Sequence, residues 1–190
     1  RRLGSEVTML VRSQLLPKED DDVVTEVAAQ FARDGIRVLS NSDLIECQQN
    51  TERLISIRTS VNHSDEIIVQ GDQLLVAIGR DANTEYLGLE AVGIERNKNG
   101  TVAVDNYMRT HCPSIFACGD VAGPYQFTHV ASHQAWYAAV NGLFGGIKKF
   151  KADYRVIPWA TFTDPEISRV GLSETEALAS DTPYEVTRYD

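Results

Sequence analysis

Thr110-His111-Cys112-Pro113-Ser114-Ile115-Phe116-Ala117-Cys118-Gly119-Asp120-Val121 is the stretch on which the reading of this chain turns. Ile115 to Cys118 is a short apolar run, which predicts a buried strand that starts after Pro113 and stops at Gly119. Asp120 then falls just past the carboxyl end of that strand, where open α/β sheets bind ligands. A carboxylate there can accept hydrogen bonds from sugar or polyol hydroxyls. A polar segment follows, and a long helix is expected from about Thr128 to Phe144. Strand, Gly-Asp, loop and helix amino terminus together form a seat for a nucleotide cofactor.

Upstream, the pattern predicts a strand–helix–strand unit. Val7 to Val11 reads as a buried parallel strand. Asp20, Asp21 and Asp22 precede Val23, which suits a helix amino terminus through capping and the macrodipole. Val23, Val24, Val27, Ala28, Phe31 and Ala32 then recur at helical spacing, Gly35 ends the helix, and Ile36 to Leu39 is the next strand. The period changes after that. Leu44 to Gln48, Leu54 to Val61, Glu66 to Val69 and Gln73 to Ile78 read as short strands of an antiparallel meander. Gly100 to Val104 and Tyr184 to Tyr189 are further expected strands. The Thr128–Phe144 helix is apolar around most of its circumference, which predicts a largely buried helix. Ser173 and Glu176 form a capping box for a short last helix.

The central stretch resembles the second flavin-binding motif of the pyridine nucleotide–disulfide oxidoreductases. That pattern is Thr-x-x-Pro-x-Ile-Phe-Ala-x-Gly-Asp, matched by Thr110, Pro113, Ile115, Phe116, Ala117, Gly119 and Asp120. A second match is Gly79-Arg80 with Asn83 and Thr84, where Ala82 stands in place of the family's proline. A third, Phe162 to Gly171, resembles the opening of the family's dimerisation domain. The resemblance implies an α/β fold with FAD- and NAD(P)-binding Rossmann-like parts, an antiparallel meander and the start of an α+β dimerisation domain. Residues 1–80 would be the carboxy-terminal part of an NAD(P)-binding domain, 81–152 part of an FAD-binding domain, and 153–190 the start of the dimerisation domain.

The resemblance also implies the cofactor-binding residues. Asp120, with Gly119, would bind the ribityl chain of FAD. Gln126, Phe127, Thr128 and His129 match the segment whose backbone approaches the flavin ring, where a helix amino terminus favours the reduced anion. Gly79 lies where the nicotinamide-nucleotide domain ends. In a dinucleotide-binding unit, the end of the second strand meets the adenosine ribose, and an acidic side chain there selects NAD. Here Val11 holds that place and cannot accept such bonds. Arg12 and Ser13 follow, a guanidinium and a hydroxyl suited to a 2′-phosphate, so NADPH is expected over NADH. No catalytic residue of the family lies within the chain.

The net charge of −9 argues against a nucleic-acid or anionic-membrane partner, and no apolar run approaches membrane-spanning length. The expectation is a cytoplasmic homodimer acting on a small-molecule or disulfide acceptor. The cysteines Cys47, Cys112 and Cys118 are too few for a disulfide scaffold, and Cys112 and Cys118 are read as structural. His129 and His133 are four apart, but no third ligand is near in sequence, and no metal is expected. The unpartnered ends of the chain point to a piece of a longer protein. Its function is expected to be hydride transfer from NAD(P)H to FAD and on to the acceptor. A soluble pyridine nucleotide transhydrogenase of the same fold, or a non-catalytic interaction module retaining it, stay as alternatives.

Overall fold

The computed structural model describes residues 1–189. They form two compact units, one of Arg1–Val76 with the described residues of Pro158–Asp190, the other of Ala77–Ile157. The sheets are partly parallel and partly antiparallel, with helices beside them, as an α/β chain with a meander requires.

In the first unit, β1 (Thr8–Leu10) pairs in parallel with β2 (Arg37–Leu39), and α1 (Asp21–Arg33) connects them. Val27 is the buried residue of α1, and Gly35 follows the helix at φ 72°, a left-handed conformation that glycine adopts without strain. The meander is β3 (Ser42–Gln49), β4 (Ile55–Val61) and β5 (Asp65–Gly71), paired antiparallel with a bulge between Leu44 and Glu46. Arg58 on the central strand reaches Glu46 at 3.1 Å and Glu66 at 3.2 Å, one cation tying all three strands. Thr59 is fully buried, and its hydroxyl donates to the Asp43 carbonyl.

β6 (Pro158–Thr161), β7 (Ile167–Val170) and α3 (Glu174–Ala179) complete this unit. Ser173 and Glu176 form the expected capping box. Asp20 was expected to cap α1, but its carboxylate makes no bond to that helix. It accepts instead from Glu174 N, Thr175 N and Thr175 Oγ1, at 2.9, 3.0 and 2.7 Å. The orphan amides of α3 and its positive end attract the carboxylate more strongly than its own helix, where Asp21 and Asp22 already supply negative charge. Beside it, Arg169 bonds Glu176 at 2.8 Å, lies 3.4 Å from the nearly buried Glu19, and stacks over Trp159.

The bond from Thr175 Oγ1, more than any other interaction, holds the Asp20 carboxyl below the usual carboxylate range. A group whose folded pKa is depressed stabilises the fold above its unfolded value, near 4, and loses that contribution as pH falls through the folded value. Removing the carboxylate in Asp20→Ala is expected to cost about 1 kcal/mol at neutral pH, the usual worth of a helix cap. The difference from wild type should shrink below about pH 4. Denaturant melts at pH 7 and pH 3 measure it, and an equal loss at both would show that the charge is not what matters.

In the second unit, Leu89, Ile94 and Val102 form a small core, with Val104, Cys112, Ile115 and Ala117 packed against it. α2 (Thr128–Phe144) has the expected bounds. Its burial departs from expectation. Only Val130, Gln134 and Asn141 are buried, while Trp136 is 52% and Leu143 77% exposed. Helical periodicity reports apolarity; coverage depends on which segments are present to pack against it.

Four expected strands do not form as such. Ile115–Cys118 is extended but carries a single bridge, Phe116 to Arg109, and Gly100–Val104 a single bridge, Val102 to Arg96. Gln73–Ile78 and Tyr184–Tyr189 are unpaired, with Leu75 88% and Ile78 93% exposed. A strand exists only when a neighbour takes its hydrogen bonds, and no described segment lies alongside these four for more than one bridge. Arg1–Gly4 is a single turn closed by Gly4 N to Arg1 O. No helix among the described residues is long and apolar enough to cross a membrane.

Candidate functional site

Thr110 anchors the central stretch. Its buried hydroxyl donates to the Ile115 carbonyl at 2.9 Å and accepts from Cys112 N, while Ala117 N bonds the Met108 carbonyl. The extended run therefore returns beside Met108–Thr110 and delivers a short 3-10 turn, Gly119–Val121. Gly119 has φ 78°, where an L side chain is strained, and a Cβ there would lie 3.3 Å from the Ala131 Cβ on α2. A larger residue there would have to push the Ala131 side chain back by a few tenths of an ångström. Asp120 stands on this turn, exposed, and its carboxylate has no hydrogen-bond partner among the described residues.

Gln126, Phe127, Thr128 and His129 follow in the same unit. Phe127 is the N-cap residue of α2, in extended conformation, and no side chain caps the helix. No acidic residue lies in the first turn of this 17-residue helix, whose amino terminus carries the positive end of the helix dipole. The rings of Tyr125, Phe127 and His129 stack nearly parallel, with centroids 6.3 and 5.3 Å apart. Gly79 belongs to this unit too, at φ 148°, and the next residue, Arg80, donates to the Gln126 carbonyl at 2.9 Å. The structure thus brings the Gly79–Arg80 segment to the residue preceding the N-cap of α2.

Val11, Arg12 and Ser13 belong to the other unit. Val11 N bonds the Leu39 carbonyl, Ser42 N bonds the Val11 carbonyl, and Asn41 N bonds the Ser13 carbonyl at 2.7 Å. The loop backbone is pinned while the Arg12 and Ser13 side chains are exposed. The Arg12 guanidinium has no carboxylate partner among the described residues, unlike Arg2, Arg58 or Arg169.

Sequence reading passed over two polar residues of α2. Gln134 is fully buried: Oε1 accepts from Gly119 N at 2.6 Å, and Nε2 donates to the Gly123 carbonyl at 2.6 Å and to Tyr154 Oη at 3.0 Å. Burial raises the Tyr154 pKa, and the bond from Gln134 opposes that rise. Asn141, two turns on, bonds the Tyr107 and Phe150 carbonyls and Phe150 N. Two amides seven residues apart, and so on one face of a mostly apolar helix, were the available signal. His133 bonds the Asp153 carbonyl through Nε2. The three cysteines are free.

The family model described as pyridine nucleotide-disulphide oxidoreductase matches residues 1–135. A dihydrolipoyl dehydrogenase of Chlamydia muridarum is 37% identical over 188 residues, 98% of this chain and 38% of that protein. A mercuric reductase of Staphylococcus aureus is 38% identical over 176 residues, covering 92% of this chain and 31% of its own length. Among solved structures, the HOCl-induced flavoprotein disulfide reductase RclA of Escherichia coli superposes with a TM-score of 0.79 at 31% identity, over 93% of this chain and 39% of that one. LpdA of Mycobacterium tuberculosis gives 0.82 at 29% identity, over 94% and 38%. The chain spans about two-fifths or less of the length of these relatives. With its Gly119–Asp120 turn set against an uncapped helix end and its matches in sequence and structure, the chain belongs to the pyridine nucleotide–disulfide oxidoreductase family.

Proposed function

We propose that this chain is a segment of a longer flavoprotein that passes a hydride from NADPH to FAD and on to a disulfide or other small-molecule acceptor. Residues 1–80 would belong to its NAD(P)-binding domain, 81–152 to its FAD-binding domain, and 153–190 to a domain through which it forms a homodimer. Unpaired cysteines suit a cytoplasmic, reducing compartment. The observation that carries the reading is Asp120, an exposed carboxylate with no hydrogen-bond partner among the described residues, on a turn whose positive φ at Gly119 favours glycine, next to the amino-terminal half of α2.

These residues fit FAD. Asp120 would accept from ribityl hydroxyls, and Gly119 would let the backbone come close. The amides at Thr128 and His129, with the helix dipole behind them, would hold negative charge on the flavin ring. A bound flavin supplies the hydride acceptor; the chain supplies position and field. On the nicotinamide side, Val11 offers no acceptor to a ribose diol, whereas the free Arg12 guanidinium and Ser13 hydroxyl suit a 2′-phosphate.

Two measurements on the full-length protein test this. The purified protein should show flavin absorption; a colourless protein that cannot be reconstituted with FAD would point to a non-catalytic module. Its kcat/KM should be higher for NADPH than for NADH, and Arg12→Glu should lower the NADPH value about tenfold to a hundredfold by removing a charge-assisted bond. A higher kcat/KM for NADH in the wild type would overturn the nucleotide assignment.

A further inference from the structure

Gln134 is fully buried on α2, and its amide bonds both ends of the turn that carries Asp120. Gly119 N–H donates to Oε1 and the Gly123 carbonyl accepts from Nε2, each at 2.6 Å. Inside the turn, Ala122 N and Gly123 N both bond the Gly119 carbonyl. Internal bonds close the turn, and Gln134 ties it to the helix through side-chain hydrogen bonds. Nε2 also reaches Tyr154 Oη, which fixes the amide orientation, because the phenol oxygen there accepts while its hydrogen is directed to Met108 Sδ. We infer that Gln134 is a positioning residue for flavin, holding the Gly119–Gly123 turn so that the Asp120 carboxylate stands at a fixed place relative to the amino terminus of α2. This rests on the proposal that Asp120 binds flavin.

The chemistry is directional. The Gly119 N–H needs an acceptor and the Gly123 carbonyl needs a donor, and a carboxamide supplies both. Gln134→Glu keeps the shape. An ionised Glu would still accept from Gly119 N but would set a second oxygen against the Gly123 carbonyl. A protonated Glu would donate to that carbonyl and restore the clamp. Burial without a cation partner favours the protonated form. The Glu variant should therefore hold flavin like wild type at low pH and lose it as pH rises through the raised carboxyl pKa. A purely structural role predicts that flavin loss tracks loss of helix signal by circular dichroism over the same pH values, whereas a positioning role predicts flavin loss from a protein that stays folded.

The experiment compares FAD retention on desalting at several pH values for the full-length protein, Gln134→Glu, Gln134→Ala and Asp120→Ala. It also follows the Gly119 amide proton of the 190-residue chain by NMR, since a short hydrogen bond shifts it downfield. Expected are about tenfold weaker retention in Gln134→Ala at every pH, pH-dependent retention in Gln134→Glu, flat retention in wild type, and an upfield Gly119 amide in Gln134→Ala. If both Gln134 variants hold FAD like wild type at all pH values while Asp120→Ala releases it, the inference fails and the flavin reading stands. If Asp120→Ala keeps FAD, the flavin reading fails with it. Should Gln134→Ala not fold, the Glu variant at low pH still decides.

Discussion

Asp120→Ala in the full-length protein is expected to weaken FAD binding about tenfold to a hundredfold, the usual range for losing charge-assisted hydrogen bonds from a carboxylate. The size follows from where Asp120 stands. Among the described residues its carboxylate makes no bond that would have to break before a ligand is bound, so its accepting capacity is available to ribityl hydroxyls. The turn beneath it is closed by its own bonds to the Gly119 carbonyl and is held by Gln134, and Asp120 contributes to neither. The variant should therefore fold as wild type does and differ in flavin content alone. Asp120→Asn, which keeps an acceptor but loses the charge, should fall between. Equilibrium dialysis with absorption near the flavin maximum is the measurement. Equal FAD retention in the alanine variant and wild type would remove Asp120 from the site.

The second large effect concerns stability. Asn141→Ala is expected to destabilise the unit Ala77–Ile157 by about 2–4 kcal/mol, because it leaves the Phe150 amide and two backbone carbonyls without their partner in a buried place. Asn141 bonds Phe150 from both sides, Nδ2 to its carbonyl and Oδ1 from its amide, each at 2.8 Å. It also reaches the Tyr107 carbonyl at 3.0 Å, so one side chain joins the end of α2 to two loops that also meet through the bond from Ala152 N to the Asn106 carbonyl. Asn141→Asp should be no better, since a carboxylate faces two carbonyls that need donors. Denaturant titration gives the free energy, and hydrogen exchange at the Phe150 amide reports the local opening. A loss below about 0.5 kcal/mol, with Phe150 protection unchanged, would mean that water replaces the side chain at no cost.

Some of this was readable from residue order and some was not, and particular elements show why. The bounds of α2, the parallel pair β1 and β2 around α1, the antiparallel meander and the Ser173–Glu176 capping box all follow from periodicity and local chemistry. Each depends on neighbours a few residues away, which is the range over which propensity and capping act. The Gly119–Asp120 turn was legible for the same reason, since glycine marks the positive φ that the turn needs.

Tertiary structure alone decided what depends on distant partners. Whether Gln73–Ile78 or Ile115–Cys118 is a strand depends on who lies alongside, and apolar runs do not encode that. Whether α2 is covered depends on packing, so its all-round apolar character coexists with an exposed Trp136 and Leu143. Asp20 left its own helix for the amides of α3, more than a hundred residues along the chain, because a carboxylate goes to the strongest unpaired donors within reach, and only the fold sets what is within reach. Gln134 and Asn141 were visible as polar interruptions of α2. That they clamp the Gly119–Gly123 turn and the Phe150 loop became evident only where backbone groups separated in sequence converge on one helix.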